Sequence, residues 1–188
     1  MPLPTDLKLI QLYDAKISKL TADSGASPTY DTGVDIPGIV KIMAQPKMEM
    51  KELKGDGAIL DVYSRVVSID VEVECAKLPL LVLPIIQGGT TTAGGVTPNQ
   101  TQTYALALGS AGPSYFKLEG VWDYAGDGIA DAHLVVYKIK CTEPPAVEVQ
   151  DANGDFGKVT FKGMAVPYEA TGRKFMEIIG NETASPIA

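Results

Sequence analysis

The chain has 188 residues, of which 45% are apolar and 21% are charged, and its formal net charge is -7. This length suits a single domain over residues 1–188, and the composition excludes a globally disordered chain. The acidic balance argues against a protein that holds DNA by its phosphates, because such binding needs a basic surface. We therefore expect one acidic, globular domain.

We expect neither a secretory leader nor a membrane span. Residues 1–6 lack a basic start followed by an apolar run. The most apolar stretch, residues 78–86, is too short to cross a bilayer and contains two prolines. Synthesis in the cytosol is the expectation that follows.

The two cysteines, Cys75 and Cys141, both fall within strand-like alternation. Free cysteines are among the most buried residue types, and cytosolic proteins keep their thiols reduced. We interpret both as reduced core residues, with a disulfide between them as the alternative.

The first predicted strands cover residues 7–17, 39–43 and 47–53. The last of them leads into a loop at residues 49–66, which mixes charged and apolar residues around a Gly-Asp-Gly turn. As a hairpin, this loop would project well beyond a compact domain. The residues that we assign to it as a contact surface are Asp56, Ile59, Leu60, Val62 and Tyr63.

The clearest strand covers residues 67–75, where apolar and polar side chains alternate with period two. Its odd positions are occupied by Val, Ile, Val, Val and Cys in turn. The acidic residues between them are Asp70, Glu72 and Glu74. This pattern predicts one buried face and one acidic face in contact with water.

One helix is predicted in the apolar run that follows. Pro79 suits an early helical position, Pro84 is expected to end or kink the helix, and Gly88 supplies a stop. Because the helix is apolar on nearly every side, it should lie between a sheet and another layer. The segment 88–100, rich in Gly and Thr, is predicted to be flexible.

The later predicted strands cover residues 103–108, 115–122, 133–141, 158–166 and 174–179. Gly/Asp turns at residues 125–128 and 153–155 separate some of them, and the C-terminal segment 181–188 is predicted to be flexible. Many short strands divided by such turns predict a mainly β fold, a sandwich or barrel, with one short flanking helix and long loops or arms.

Residue patterns for catalysis or metal binding are weak. The single histidine, His133, lies in mid-strand, and we interpret it as structural rather than catalytic. The acidic run 151–157 has the first ligands of a calcium loop, but its twelfth position is Lys162, so a hairpin turn is favoured. The carboxylates of Asp123 and Asp131 are also interpreted as flanking a turn. We predict no enzyme, no cofactor and no bound metal.

The order of elements along nearly the whole chain is a pattern in its own right. It begins with a first strand at residues 9–17, a polar loop at 28–31 and a Pro-Gly segment at 34–42. The loop at residues 49–66, the strand 67–75, the helix that ends at 88–89 and the strands at 104–109 and 115–122 follow. This order resembles that of the major tail protein, or tail tube protein, family of long-tailed bacteriophages.

The resemblance implies a β-sandwich flanked by one helix, six copies of which form a ring. Rings stack into a tube in the virion tail, assembled in the cytoplasm of the bacterial host, through which DNA is ejected without specific binding. The implied partners are further copies of the chain and the tape measure, tail terminator and distal tail proteins, with no membrane and no cofactor.

Within this resemblance, two groups of residues receive roles. We assign Asp70, Glu72 and Glu74 to the lumen of the tube, with the outer surface as the alternative. The loop at residues 49–66 is assigned to the contact between rings.

Other functions remain open alternatives. The tube subunit of a contractile tail or secretion apparatus belongs to the same physical class, and a sheath partner would distinguish it. A monomeric β-sandwich binding module, for example for carbohydrate, would normally expose an aromatic cluster, whereas Trp122 lies in a strand-like stretch. A small hydrolase is the third alternative, and the lone histidine argues against it.

Overall fold

The structure, a computed structural model, describes residues 7–8, 11–77, 79–123, 128–147 and 157–187. The elements in this part of the chain are β1 (Gln11–Ala22), β2 (Thr29–Tyr30), β3 (Val34–Asp35), β4 (Ile39–Gly55), β5 (Ala58–Cys75), α1 (Leu83–Ile86), β6 (Thr90–Gly94), β7 (Thr101–Ala105), β8 (Tyr115–Asp123), β9 (Asp131–Glu143), β10 (Val159–Ala165) and β11 (Met176–Asn181). The prediction of a mainly β fold is confirmed. The calcium-like run and the turn at residues 153–155 fall largely or wholly outside the described residues.

Nine strands form one antiparallel sheet that bends into a sandwich. Its hydrogen-bonded order is β2-β1-β8-β9-β10-β5-β4, with β3 also pairing with β1 and β11 also pairing with β9. Strand β9 is shared, because its first half pairs with β11 and its second half with β10. At the change of partner, Lys138 has a φ of 42°, in the left-handed region.

The core lies between the two layers of the sandwich. The alternation predicted for residues 67–75 is confirmed from Ile69 onward, where Val71, Val73 and Cys75 are buried and the acidic residues lie on the other face. It was wrong at the start, because a bulge at Val67 leaves that side chain exposed and Ser68 buried. Phe116 on β8 and Phe161 on β10 are among the largest fully buried side chains. Both cysteines are free and buried, as predicted.

The position predicted for the helix was wrong. Residues 79–82 form a turn in which the amides of Val82 and Leu83 donate to the carbonyl of Pro79, over 2.9 and 3.3 Å. The helix is a single turn that begins only at Leu83. Pro84 therefore occupies the first turn, where its missing N–H removes no hydrogen bond, and it does not end the helix.

The segment 88–100, predicted as a flexible stretch, contains strand β6, which pairs with β7 over its whole length. The hairpin is tied to the end of the helix, because the Tyr104 hydroxyl donates to the Gly88 carbonyl over 2.7 Å and accepts from Gln87 Nε2 over 2.8 Å. Threonine favours strands even without apolar alternation, which is why the periodicity missed this element.

The C-terminal segment, predicted to be flexible, makes contacts with the sandwich. The amide of Ser185 donates to Asp131 Oδ2 over 2.7 Å, and Lys16 Nζ donates to the carbonyl of Ile187 over 2.9 Å. The side chain of Ile187 is buried. The described end of the chain is thus packed on strands β1 and β9.

Candidate assembly surfaces

Strands β4 and β5 continue beyond the sandwich as a two-stranded arm, which we define as residues 48–66. Cross-strand pairing runs from Met48 and Val66 to Gly55 and Ala58 at the tip, with one register shift at which Leu60 has no partner. Nearly every residue of the arm is exposed. The two strands predicted at 39–43 and 47–53 are therefore one strand, and Pro46 sits within it because β4 is the last strand of the sheet order, where proline is tolerated.

The tip of the arm is a two-residue turn. Asp56 and Gly57 have φ angles of 50° and 79°, both in the left-handed region. Such a turn matches the right-handed twist of the flanking strands. A Cβ on Gly55 would lie only 2.6 Å from Cδ1 of Leu60, so glycine at this position leaves room for the leucine to fold over the strand. The sequence Gly-Asp-Gly therefore fixes the shape of the tip.

The arm has one apolar and one polar face. Directly paired residues in an antiparallel ladder point to the same side, and the side changes with each residue along the strand. The pairs in the ladder place five exposed side chains on one side, which we call the apolar face: Met48, Met50, Ile59, Val62 and Val66. The same side also holds Glu52, Lys54 and Ser64. The opposite side is the polar face, with Glu49, Lys51, Asp61, Tyr63 and Arg65, together with the exposed Leu53.

Ion pairs support this division. Arg65 Nη2 lies 2.9 Å from Glu49 Oε2, and Lys51 Nζ lies 3.6 Å from Glu49 Oε1, all three residues being on the polar face. On the apolar face, the one charged pair is near the tip, where Lys54 Nζ lies 2.9 Å from Glu52 Oε2. This pair lies opposite Val62 and Ile59, so the apolar side chains are contiguous only in the half of the face nearer the sandwich, around Met48, Met50 and Val66.

The apolar face of the arm continues the inner face of the sandwich. On β4, Ile42 and Ala44 pair with the buried Val73 and Val71, and the same side of the strand leads on to Met48. Within the body, the opposite layer packs over these side chains: a Cβ on Gly120 would lie 2.4 Å from Cδ1 of Ile42. Over the arm, none of the described residues takes the place of that layer, so a core-like surface faces water.

The five residues predicted for this loop have different positions. Ile59 and Val62 lie on the apolar face, Tyr63 lies on the polar face, Asp56 is in the turn, and Leu60 packs over Gly55. The prediction missed Met48, Met50 and Val66. The signal that could have found them is the spacing of two between the methionines, in a segment already expected to be a strand.

A second apolar surface lies between the two layers of the sandwich, beside strand β4. It is a groove of about 600 Å³ between β4 and the layer that contains β1, β8 and β11. We define the groove by the side chains that line most of it: Leu12, Val40, Ile42, Trp122, Leu134 and Ile178. Trp122 is buried and its indole N–H donates to the carbonyl of Lys8 over 3.2 Å, so its ring forms part of the wall and is not an exposed stacking platform.

The strand face predicted to be acidic carries a lattice of mixed charge. Lys41 Nζ lies 2.8 Å from Glu72 Oε1, Lys47 Nζ lies 3.3 Å from Asp70 Oδ2, and Lys158 Nζ lies 2.7 Å from Glu74 Oε1. The hydrogen bond from Lys41 lowers the pKa of Glu72. The predicted outward position of the three carboxylates is confirmed, but lysines from other segments pair with them, and the period of a single strand does not show those partners.

His133 belongs to a buried network of charged groups. Its Nδ1 lies 2.9 Å from Glu119 Oε1, its Nε2 lies 3.4 Å from Asp131 Oδ2, and Lys117 Nζ lies 3.0 Å from Glu119 Oε2. Asp131 also accepts hydrogen bonds from Ser185 N and Asn181 Nδ2. The network therefore connects β8, β9 and the C-terminal segment, and each ring nitrogen of the histidine already faces a carboxylate.

The described residues hold no group of three or more His, Cys, Asp or Glu side chains that could bind a metal ion. Asp123 and Asp131 are opposite each other at the ends of β8 and β9, and residues 124–127 between them lie outside the description. In the part of the chain that is described, no helix is long and apolar enough to cross a bilayer. No family model matches the chain, and no curated protein matches it.

Proposed function

We propose that this chain is a structural subunit that assembles head to tail into rings, stacked as the tail tube through which a long-tailed phage ejects its DNA. The observation that carries the proposal is the arm, because its apolar face has the character of a core and no cover among the described residues. An exposed apolar surface on two long strands contributes to stability only when another molecule covers it, as in an assembly.

The edges of the sheet support assembly as well. Strand β4 ends the sheet order, and among the described strands only β5 pairs with it. Open edges invite pairing with another chain, and a closed ring of subunits satisfies them. If six subunits each supply four strands, about 4.8 Å apart and tilted about 40°, the backbone barrel is roughly 48 Å across. Such a barrel leaves room for a DNA duplex.

We assign the face of Asp70, Glu72 and Glu74 to the lumen of this tube. The lattice of lysine–carboxylate pairs on this face has little net charge, so it neither grips phosphates nor excludes them strongly. A duplex would slide on it with its water layer intact. Replacing the three carboxylates by lysine should slow or block DNA delivery by tubes that still assemble, and unchanged infectivity would contradict the lumen assignment.

The function is tested by negative-stain electron microscopy of the purified protein across a concentration series, with light scattering on the same samples. Hollow tubes or rings of constant diameter are the expected result. A strict monomer at all concentrations would contradict the proposal.

A further inference from the structure

We propose that the groove of one copy receives the apolar face of the arm of a second copy. This inference rests on the proposed function and names the surfaces through which the subunits join. The groove and the apolar face of the arm are both lined by apolar side chains, which are fully or partly exposed on the arm and range from the buried Trp122 to the exposed Val40 and Ile178 in the groove.

The arm cannot fill the groove of its own chain. Val40 and Ile42 line the groove, and Met48 and Met50 belong to the arm, all on the single strand β4. That strand is paired with β5 along its whole length, so the arm runs away from the groove and cannot turn back over it. An arm that covers the groove must therefore belong to another molecule.

The size of the two surfaces fits a contact between copies. Five apolar side chains that are 40–68% exposed present on the order of 400–500 Å² of apolar surface, which is near the upper limit for a soluble monomer. Covering them with the groove of a second copy would bury about 1,000 Å² in total, the lower limit for a specific interface. In an array, each copy would make this contact twice, once with its arm and once with its groove.

The contact is head to tail, because the arm and the groove are different surfaces. A contact of this kind continues from copy to copy and gives a closed ring or an open helical array. The polar face of the arm, with its Glu49–Arg65 ion pair, would remain in water or at the rim. The contact thus selects one face of the arm and leaves the other free.

The test uses two exposed-site variants with matched controls. The arm variant carries Met50→Glu and Val62→Glu, and its control carries Leu53→Glu, which replaces an exposed apolar side chain on the polar face. The groove variant carries Ile178→Glu, and its control carries Ile179→Glu on the same strand, outside the groove lining. Circular dichroism and the melting temperature verify that each variant is folded, which exposed positions permit.

Sedimentation velocity then measures assembly. We expect the arm and groove variants each to lose self-association by about 100-fold or more, because a carboxylate would be buried without a partner at the centre of the contact. Both controls should assemble like the unmodified protein. A mixture of the arm and groove variants should give a 1:1 complex that grows no further, since only one intact arm and one intact groove can meet.

Three results would overturn the inference. If the arm and groove variants assemble as well as the unmodified protein does, the arm–groove contact is wrong while the tube function stands. If the groove variant assembles and the mixture forms no 1:1 complex, the arm meets a different surface. If the unmodified protein stays monomeric at all concentrations, both the contact and the proposed function fail.

Discussion

Strands β4 and β5 run through both the sandwich, which we call the body, and the arm. Their apolar side chains are mostly covered in the body and exposed to water in the arm. The side of β4 and β5 that carries Ile42 and Val73 in the body carries Met50 and Val62 on the arm, although Ser64 and Glu52 lie opposite these two arm residues. In the body, Val73 is fully buried, whereas Met50 is 68% exposed. The layer that covers this side in the body has no counterpart over the arm among the described residues. An apolar strand face therefore predicts that another layer of protein covers it. Whether that layer belongs to the same chain depends on the rest of the fold.

The largest contrast should come from truncating a core side chain. Phe116→Ala removes a fully buried ring on β8 and should lower the free energy of unfolding by about 3–5 kcal/mol, because the surrounding side chains relax only partly into the cavity. Urea denaturation of dilute protein measures this loss. A cost below about 1 kcal/mol would mean that the body is packed as loosely as the arm.

The next effect concerns the network that holds the C-terminal segment to the body. Burial opposes ionisation of Asp131, but the hydrogen bonds from Ser185 and Asn181 outweigh it and lower the pKa of this carboxyl below its usual 3.8. A lowered pKa in the folded state gives stability that is present above about pH 4 and is lost as the pH falls through the folded pKa. Asp131→Asn should therefore cost about 2 kcal/mol at pH 7.

The pH dependence provides a check on this effect. The difference in free energy of unfolding between the unmodified protein and the Asp131→Asn variant should shrink as the pH is lowered from 5 to 2, because the unmodified carboxyl becomes neutral as well. A difference that stays constant over this range would show that the charge of Asp131 does not stabilise the fold.

A smaller effect should be confined to the arm. Gly57 has a φ of 79°, so Gly57→Ala places a side chain in the left-handed region at a cost of about 1 kcal/mol. Because the arm makes few contacts with the body, this cost should appear as local opening. Hydrogen exchange should become faster in residues 48–66, with an unchanged melting temperature.

The control for this prediction is Gly112→Ala. A Cβ at that position meets no atom within 4 Å, and no left-handed backbone is present there, so exchange in the arm should not change. If Gly57→Ala lowers the melting temperature of the whole domain, the arm and the body unfold as one unit and the comparison fails.

The smallest effect is expected on the apolar face itself. Met50→Ala should change the free energy of unfolding of the dilute monomer by no more than about 0.5 kcal/mol, because the side chain is mostly in water. The same denaturation experiment measures it beside the Phe116 variant. A loss of several kcal/mol would show that the arm is covered in the isolated chain.

Much of the fold follows from the sequence where alternation is strong. Residues 69–75 form a strand with the predicted buried face, because period two has one interpretation when apolar and acidic residues alternate strictly, whereas the bulge at Val67 reversed the prediction for residues 67 and 68. The helix was misplaced, because Pro84 was interpreted as a breaker, although proline is equally at home in a first turn. Strand β6 was missed, because a run of threonine and glycine carries no apolar period.

The candidate surfaces were less predictable for a physical reason. The sequence indicated a hairpin at residues 49–66, but the side on which each residue lies depends on bulges, such as the register shift between Leu53 and Lys54. One extra residue moves every later side chain to the other face. The groove combines β1, β4, β8, β9 and β11, and no local pattern reports such a combination.

The two buried cysteines make this chain convenient for site-specific labelling. Burial raises the pKa of the Cys75 thiol, and it raises that of Cys141 to about 11, so neither sulfur supplies much thiolate at neutral pH. A maleimide dye should therefore leave both native thiols unlabelled and react with a single cysteine introduced at an exposed site on the polar face of the arm, such as Lys51. Fluorescence from that one position would follow the arm from solution into an assembled particle.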